Sequence, residues 1–179
     1  MLGLALAGTA SLVRCSDENE AGALAFDKSK ATLPEALAAR VEYEGGSAAG
    51  AVRRGDALGC DVLLVDPPRK GLDPSVLASL CEKPFVHAGR EKKPRRGGGA
   101  ELDDDFDDAD DEGGELGRCA DIARIVYVSC GVPSLLNDIA ALRKSGEWRL
   151  VHAEGHVLFV GADHVESVVV LDRVVGAVA

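Results

Sequence analysis

The sequence predicts an α/β domain built on a mostly parallel β-sheet. Short apolar runs alternate with longer amphipathic segments along the chain, which is typical of strand–helix–strand units. Two of the runs, residues 61–65 and 124–129, are mainly apolar and suit strands that are buried on both faces. The length of 179 residues fits a single domain over residues 1–179.

Hydrophobic spacing and capping signals predict the separate elements. Asp73 and Pro74 are residue types that favour an N-cap and a first helical position, so a helix is expected over 74–81. Apolar side chains recur every three or four residues over 133–144, which predicts another helix. Residues 1–13 are expected to be the end of an Ala/Leu-rich helix. The other predicted elements are a helix at 20–33 and strands at 12–15, 40–43, 148–152 and 164–173.

The negative charge is concentrated in one segment. The chain has 20 basic and 30 acidic residues, and its net charge of −10 argues against a domain that holds nucleic acid by bulk positive charge. Residues 90–115 alone carry −6 of that charge. Residues 88–118 contain almost no apolar side chains, which predicts a disordered charged insertion. Its role is open between an electrostatic tether or regulatory loop and a simple surface-loop insertion.

The cysteines predict the compartment. There are five, they are widely spaced, and none forms a C-x-x-C pair, so we expect no metal site and no disulfide framework. Reduced thiols favour an intracellular protein. Residues 1–13 lack the basic start and the cleavage site of a signal peptide, and no apolar run reaches the roughly 18 residues that a membrane span needs.

Three chemically useful side chains follow predicted strands: Asp17, Asp66 and Cys130. Ligands of open α/β sheets bind beyond the carboxyl ends of the strands, so this placement indicates a site. Asp66 precedes two prolines, and spacing alone favours a turn with a capping Asp; the alternative is a stiff shelf that presents a carboxylate to a ligand. Cys130 precedes a helix, whose positive N-terminal end favours the nucleophilic thiolate, whereas an inert buried cysteine is the alternative.

Glu166 lies beside a run of valines on the last predicted strand. A carboxylate buried there is costly unless it is paired or functional, so one interpretation is a general base. The alternative is a glutamate on the solvent face of an edge strand. His152 and His156 have no carboxylate or cysteine partner at a metal-binding spacing, and His164 is not expected to be a ligand.

Together these motifs resemble the RNA (uracil-5-)methyltransferase family. The matching stretches are residues 61–73 (DVLLVDPPRKGLD), 125–130 (IVYVSC) and 164–166 (HVE), and their order and separations fit once the acidic insertion is removed. The resemblance covers most of the chain from about residue 2. Adenine-specific methyltransferases are less similar, because they place an aromatic residue where Arg69 stands.

The resemblance implies a Rossmann-like methyltransferase domain that uses S-adenosylmethionine to methylate C5 of uridine in tRNA or rRNA. Cys130 matches the nucleophile that adds to C6 of uracil, and Glu166 matches the base that removes the C5 proton. Asp66 matches a cofactor-site acid. Asp17 matches the acid that binds the ribose hydroxyls, with Glu18 as a competing choice.

The chain also departs from the family pattern. The first strand and the Gly-rich loop that begin such domains are missing, so we expect an N-terminally truncated domain. Gly131-Val132 stands where the family has Asn-Pro, and Phe159-Val160 stands where it has an aromatic residue and Pro. The alternative function is therefore a catalytically inactive, methyltransferase-like interaction protein. The location is expected to be the cytoplasm, a plastid or a mitochondrion.

Overall fold

The computed structural model of the chain describes residues 2–82, 119–158, 161 and 165–174. The predicted insertion at 88–118 and the prediction for His164 lie outside these residues. The elements in chain order are α1 (Leu2–Ala5), β1 (Val13–Asp17), α2 (Glu20–Lys30), α3 (Glu35–Ala38), β2 (Val41–Gly45), α4 (Ala48–Arg54), β3 (Val62–Val65), α5 (Pro74–Cys81), β4 (Arg124–Ser129), α6 (Val132–Lys144), β5 (Trp148–His156) and β6 (Glu166–Arg173).

The predicted helix over 74–81 and the strand over 124–129 are confirmed at their predicted ends. The Asp73 side chain accepts a hydrogen bond from the Ser75 amide, so Asp73 is the N-cap of α5 as expected. Two short helices, α3 and α4, were not predicted. α4 depends on its caps: Ser47 accepts from the Gly50 amide, and Gly55 ends the helix in the left-handed conformation at φ 83°.

The α/β class is confirmed, but the expectation of a mostly parallel sheet needs a correction. Four strands are hydrogen-bonded in the order β3-β4-β6-β5, and only β3 and β4 pair in parallel. β6 runs the opposite way between β4 and β5, so both of its pairings are antiparallel. The physical reason is the short connection from β5 to β6, since parallel neighbours need a crossover of about a dozen residues or more.

The main hydrophobic core lies between one face of this sheet and the helices α5 and α6. The sheet contributes Ile125, Tyr127, Val169 and Leu171, which are all buried. The opposite face presents half-buried apolar side chains that pair across the strands, namely Leu64, Val126, Val128, Val168 and Val170.

β1 and β2 form a separate parallel pair with its own small core around Val41 and Phe26. The Phe26 ring stacks on Tyr43 with centroids 4.8 Å apart. The Arg14 guanidinium donates to the carbonyl oxygens of Asp56 and Leu58, at 3.2 and 3.0 Å, which ties β1 to the loop before β3.

The longest described helix, α6, has 13 residues, and in the part of the chain that the structure describes no helix has both the length and the hydropathy to cross a membrane.

Two leucines on α6 test where the core lies. Leu142 is fully buried, whereas Leu136 is 60% exposed. We expect Leu142→Ala to lower the free energy of unfolding by about 2–5 kcal/mol, because it leaves a cavity. Leu136→Ala, the matched control, should change it by less than about 1 kcal/mol. Urea unfolding followed by circular dichroism measures both, and equal losses would contradict this packing.

Candidate active site

The junction of β4 and α6 fixes Cys130. β4 ends at Ser129, whose buried hydroxyl accepts a hydrogen bond from the Gly131 amide at 3.0 Å. The next element, α6, begins at Val132 and has Pro133 in its first turn. Cys130 is therefore held half-buried between a strand end and a helix N-terminus. This is the position that the sequence predicts for a nucleophile.

The loop after β3 lies against this junction. The loop runs over residues 66–71, and its amide at Gly71 donates to the Pro68 carbonyl at 2.9 Å, which closes a turn around Arg69 and Lys70. A Cβ at Gly131 would lie 2.7 Å from the carbonyl oxygen of Arg69. Gly131 is thus needed for the close approach of the two loops. The contact makes Arg69 a neighbour of Cys130.

An open cavity of about 550 Å³ lies at this contact. Five of the residues that line it, from three parts of the chain, are Arg69, Cys130, Ser134, Asn137 and Val165. Val165 directly precedes β6, so the start of the last strand reaches the same cavity as the thiol.

Cys130 and Glu166 directly flank the last pair of the β4–β6 register. That pair is Ser129 at the end of β4 and Ser167 of β6, in an antiparallel ladder. Continued by one step, the register would put Cys130 opposite Glu166, and opposite residues share a face of the sheet. Val165, and not Glu166, is the residue at this end of β6 that lines the cavity. β6 lies between two strands, so the interpretation of Glu166 as a residue on an edge strand is wrong. The catalytic roles of the two residues stay predictions.

Asp17 and Asp66 are both exposed and both stand where parallel strands end. Asp66 follows β3, next to the β4 strand that carries Cys130. Asp17 is the last residue of β1 and accepts a hydrogen bond from the Asn19 amide at 2.8 Å, whereas Glu18 lies in the bend after the strand. The two carboxylates belong to separately hydrogen-bonded sheets, so strand pairing does not bring them together.

Two histidines on β5 share a carboxylate neighbour that the sequence analysis did not consider. The Nε2 atoms of His152 and His156 lie 3.3 and 3.1 Å from the two oxygens of Glu154. Hydrogen bonds from these rings lower the pKa of Glu154, with the His156 bond the larger cause. Within the described ranges, no group of three or more histidine, cysteine or acidic side chains is arranged to hold a metal ion.

The other cysteines differ from Cys130. Burial raises the pKa of the Cys15, Cys81 and Cys119 thiols, which makes them poor nucleophiles at neutral pH. Cys60 is half-buried, and its sulfur lies 3.6 Å from the carbonyl oxygen of Asp56. Of the five thiols, only that of Cys130 lines the cavity.

The sequence analysis missed Asp138, which is buried on α6. Its Oδ2 accepts a hydrogen bond from the Leu72 amide at 2.8 Å and one from the Tyr127 hydroxyl at 2.6 Å. Burial, with the Asp138 hydrogen bond and charge, raises the pKa of Tyr127. A signal was available: Asp138 lies three residues after Leu135 and four before Leu142, so helical spacing puts its carboxylate on the buried face.

Comparisons with known proteins agree with the motifs. No protein-family model matches the chain. An uncharacterised RNA methyltransferase of Protochlamydia amoebophila (strain UWE25) is 24% identical over 172 residues, which are 96% of this chain and 34% of that protein. The crystal structure of Pyrococcus abyssi tRNA (uracil-54, C5)-methyltransferase in complex with S-adenosyl-L-homocysteine is similar in fold, with a TM-score of 0.56 and 22% identity over 94% of this chain and 31% of that one.

The predicted resemblance to RNA methyltransferases is confirmed by the Protochlamydia relative. The structural likeness shows that the chain has the fold of the matching part of the Pyrococcus enzyme, in agreement with the predicted Rossmann-like α/β domain. The chain spans about a third of the length of each of these two proteins.

The register between Cys130 and Glu166 can be tested by cross-linking. Directly opposite residues of an antiparallel pair have Cα atoms about 4.5–5.5 Å apart, which is within disulfide range. We expect Glu166→Cys to form a disulfide with Cys130 under mild oxidation, detected by peptide mass spectrometry. Val170→Cys is the matched control, because it lies four residues further along β6, about 13 Å away. Equal cross-linking of both variants to Cys130 would contradict the register.

Proposed function

We propose that this chain carries the active site of an enzyme that methylates C5 of uridine in tRNA or rRNA through a covalent bond between Cys130 and C6. The observation that supports it most is the register of β4 and β6, whose last pair, Ser129 and Ser167, directly adjoins both Cys130 and Glu166. The open cavity beside Cys130 has room for a pyrimidine base that has been turned out of an RNA stack.

The chemistry explains the need for a thiol. C5 of uracil is a poor nucleophile, and covalent addition splits one difficult step into easier ones. The Cys130 sulfur forms a bond to C6, and the electron pair of the C5–C6 double bond moves onto C5 and O4. C5 is then an enolate carbon that can accept a methyl group. Cys130 directly precedes α6 and lines the open cavity, so its sulfur is accessible to a base that enters there.

Glu166 has the complementary task. After methylation, C5 bears both a proton and the new methyl group. The Glu166 carboxylate takes the proton, the electron pair restores the C5–C6 double bond, and the thiolate of Cys130 leaves. Glu166 is half-buried at the start of β6 and directly follows Val165, which lines the cavity.

The proposed methyl donor is S-adenosylmethionine, which supplies an electrophilic methyl group on a sulfonium. Asp17 and Asp66 fit such a ligand in two respects. Both are exposed carboxylates at the carboxyl ends of parallel strands, and a carboxylate can accept hydrogen bonds from ribose hydroxyls or from an amino group. Asp17 is the residue proposed to bind the ribose.

The proposed RNA partner has to bind a chain with a net charge of −10. Arg69 and Lys70 supply local positive charge in the turn beside Cys130, which is where a phosphate backbone would pass. A reducing compartment inside the cell suits a mechanism that needs a free thiol, and all five cysteines are free.

The adduct is directly testable. Mixing the chain with 5-fluorouridine-containing RNA and S-adenosylmethionine should give a covalent band on a denaturing gel, because fluorine at C5 cannot be removed as a proton. Cys130→Ala should abolish the band, and the matched control Cys60→Ala should retain it. With ordinary RNA, Glu166→Gln should accumulate the adduct that the native chain resolves. A band that survives in Cys130→Ala would refute the proposed nucleophile.

The cofactor residues are tested by calorimetric titration with S-adenosylmethionine. Loss of a hydrogen bond to a charged group costs about 1.5–3 kcal/mol, so Asp17→Asn and Asp66→Asn should each raise Kd roughly 10- to 100-fold. Asp27→Asn, on the exposed side of α2, is the control and should leave Kd unchanged. A native chain that binds no cofactor would instead support the interaction-protein alternative, and an unchanged Kd in both site variants would remove the two aspartates from the cofactor site.

A further inference from the structure

One face of α6 is hydrogen-bonded to the turn that contains Arg69. Ser134 and Asp138 lie four residues apart, so their side chains project from the same face of the helix. The Ser134 hydroxyl donates to the carbonyl of Arg69. The Asp138 carboxylate, one helical turn later, accepts from the amide of Leu72. The helix thus holds the turn at two points on either side of Lys70 and Gly71.

The turn fits against the helix without spare room. Gly71 has φ +91°, and a Cβ there would lie 2.7 Å from Asp138 Oδ2 and 3.2 Å from the Ser134 Cβ. On the other side of the contact, a Cβ at Gly131 would meet the Arg69 carbonyl oxygen and, at 3.1 Å, the Ser134 hydroxyl. Any larger side chain at either glycine would push the turn away from the Cys130 junction.

Asp138 is itself held in place from the sheet. The Tyr127 hydroxyl donates to the same Oδ2 atom that accepts from Leu72. Tyr127 is fully buried and Asp138 is 7% exposed, so neither bond competes with bulk water. Tyr127 is on β4, three residues before Cys130. The strand that leads to the thiol therefore also holds the Asp138 carboxylate, and this carboxylate in turn holds the Leu72 end of the turn.

We propose that Ser134 and Asp138 are positioning residues, which hold the Arg69 turn against the Cys130 junction so that the wall of the cavity is formed before RNA binds. This positioning role rests on the proposed function only in taking RNA as the ligand of the cavity. Neither residue needs to touch the reacting atoms. A displacement of about 1 Å at a reacting centre can cost roughly 100-fold in rate, so the grip matters for adduct formation more than for RNA affinity.

Ser134 allows a sharp test, because threonine keeps the hydroxyl and alanine removes it. We expect Ser134→Ala to slow formation of the 5-fluorouridine adduct at saturating RNA by roughly 10- to 100-fold, with the Kd for RNA little changed. Ser134→Thr should restore the rate. The control is Ser79→Ala, which removes a hydroxyl that donates to the Ser75 carbonyl of its own helix. Asp138→Asn removes the charge from the acceptor of the Leu72 amide and weakens this bond, so it should also lower the rate of adduct formation.

A second measurement needs neither RNA nor cofactor. Release of the turn should uncover the half-buried Cys130, so iodoacetamide should alkylate Cys130 several-fold faster in Ser134→Ala than in the native chain, Ser134→Thr or Ser79→Ala, as followed by peptide mass spectrometry. Unchanged alkylation, or a native adduct rate in Ser134→Ala, would overturn the positioning role. If the native chain formed no adduct while the alkylation rates differed as stated, the proposed function would fail and the positioning role would stand.

Discussion

The antiparallel pairing of β6 with β4 is the interaction on which the candidate active site depends. Cys130 and Glu166 are distant in sequence, and the antiparallel pairing puts the first residue of β6 at the end of the sheet where Cys130 follows β4. A fully parallel sheet would send the start of β6 to the amino ends of its neighbours. The single reversed strand therefore puts its first residue, not its last, at the edge where the other strands end.

The reversed strand supplies the carboxylate, and α6 supplies the surroundings of the thiol. Its first turn contains Ser134 and its buried face contains Asp138, so one helix both follows Cys130 and holds the neighbouring turn. Two glycines, Gly71 and Gly131, make that contact possible because neither position has room for a side chain. The loop after β3 is stiffened by Pro67 and Pro68 and is hydrogen-bonded to α6. Both features reduce the rearrangement that the loop would undergo when a ligand binds in the cavity.

The sequence predicted the parts of this site that depend on local patterns. Capping and helical spacing were enough for α5 and α6, and short apolar runs were enough for β3 and β4. The order of strands was not available, because the place of β6 in the sheet is decided by pairing between distant segments. Asp138 could have been found from its helical position, whereas the approach of Gly131 to Arg69 needs the folded chain.

The register of β6 has an unusual physical basis. Residues 168–171 are apolar on both faces of the strand, so a slip by one residue would still bury valine or leucine, and hydrophobic pattern alone specifies the register weakly. Polar contacts at the other end of the strand distinguish the two alignments. Asp172 accepts a bidentate pair of hydrogen bonds from Arg124 at 2.6 and 3.0 Å, and the Arg173 guanidinium donates to the carbonyls of Ile122 and Cys119. A slip by one residue would break these contacts and would turn Glu166 to the other face of the sheet, so the charged contacts at one end of β6 help to fix the orientation of Glu166 at the other.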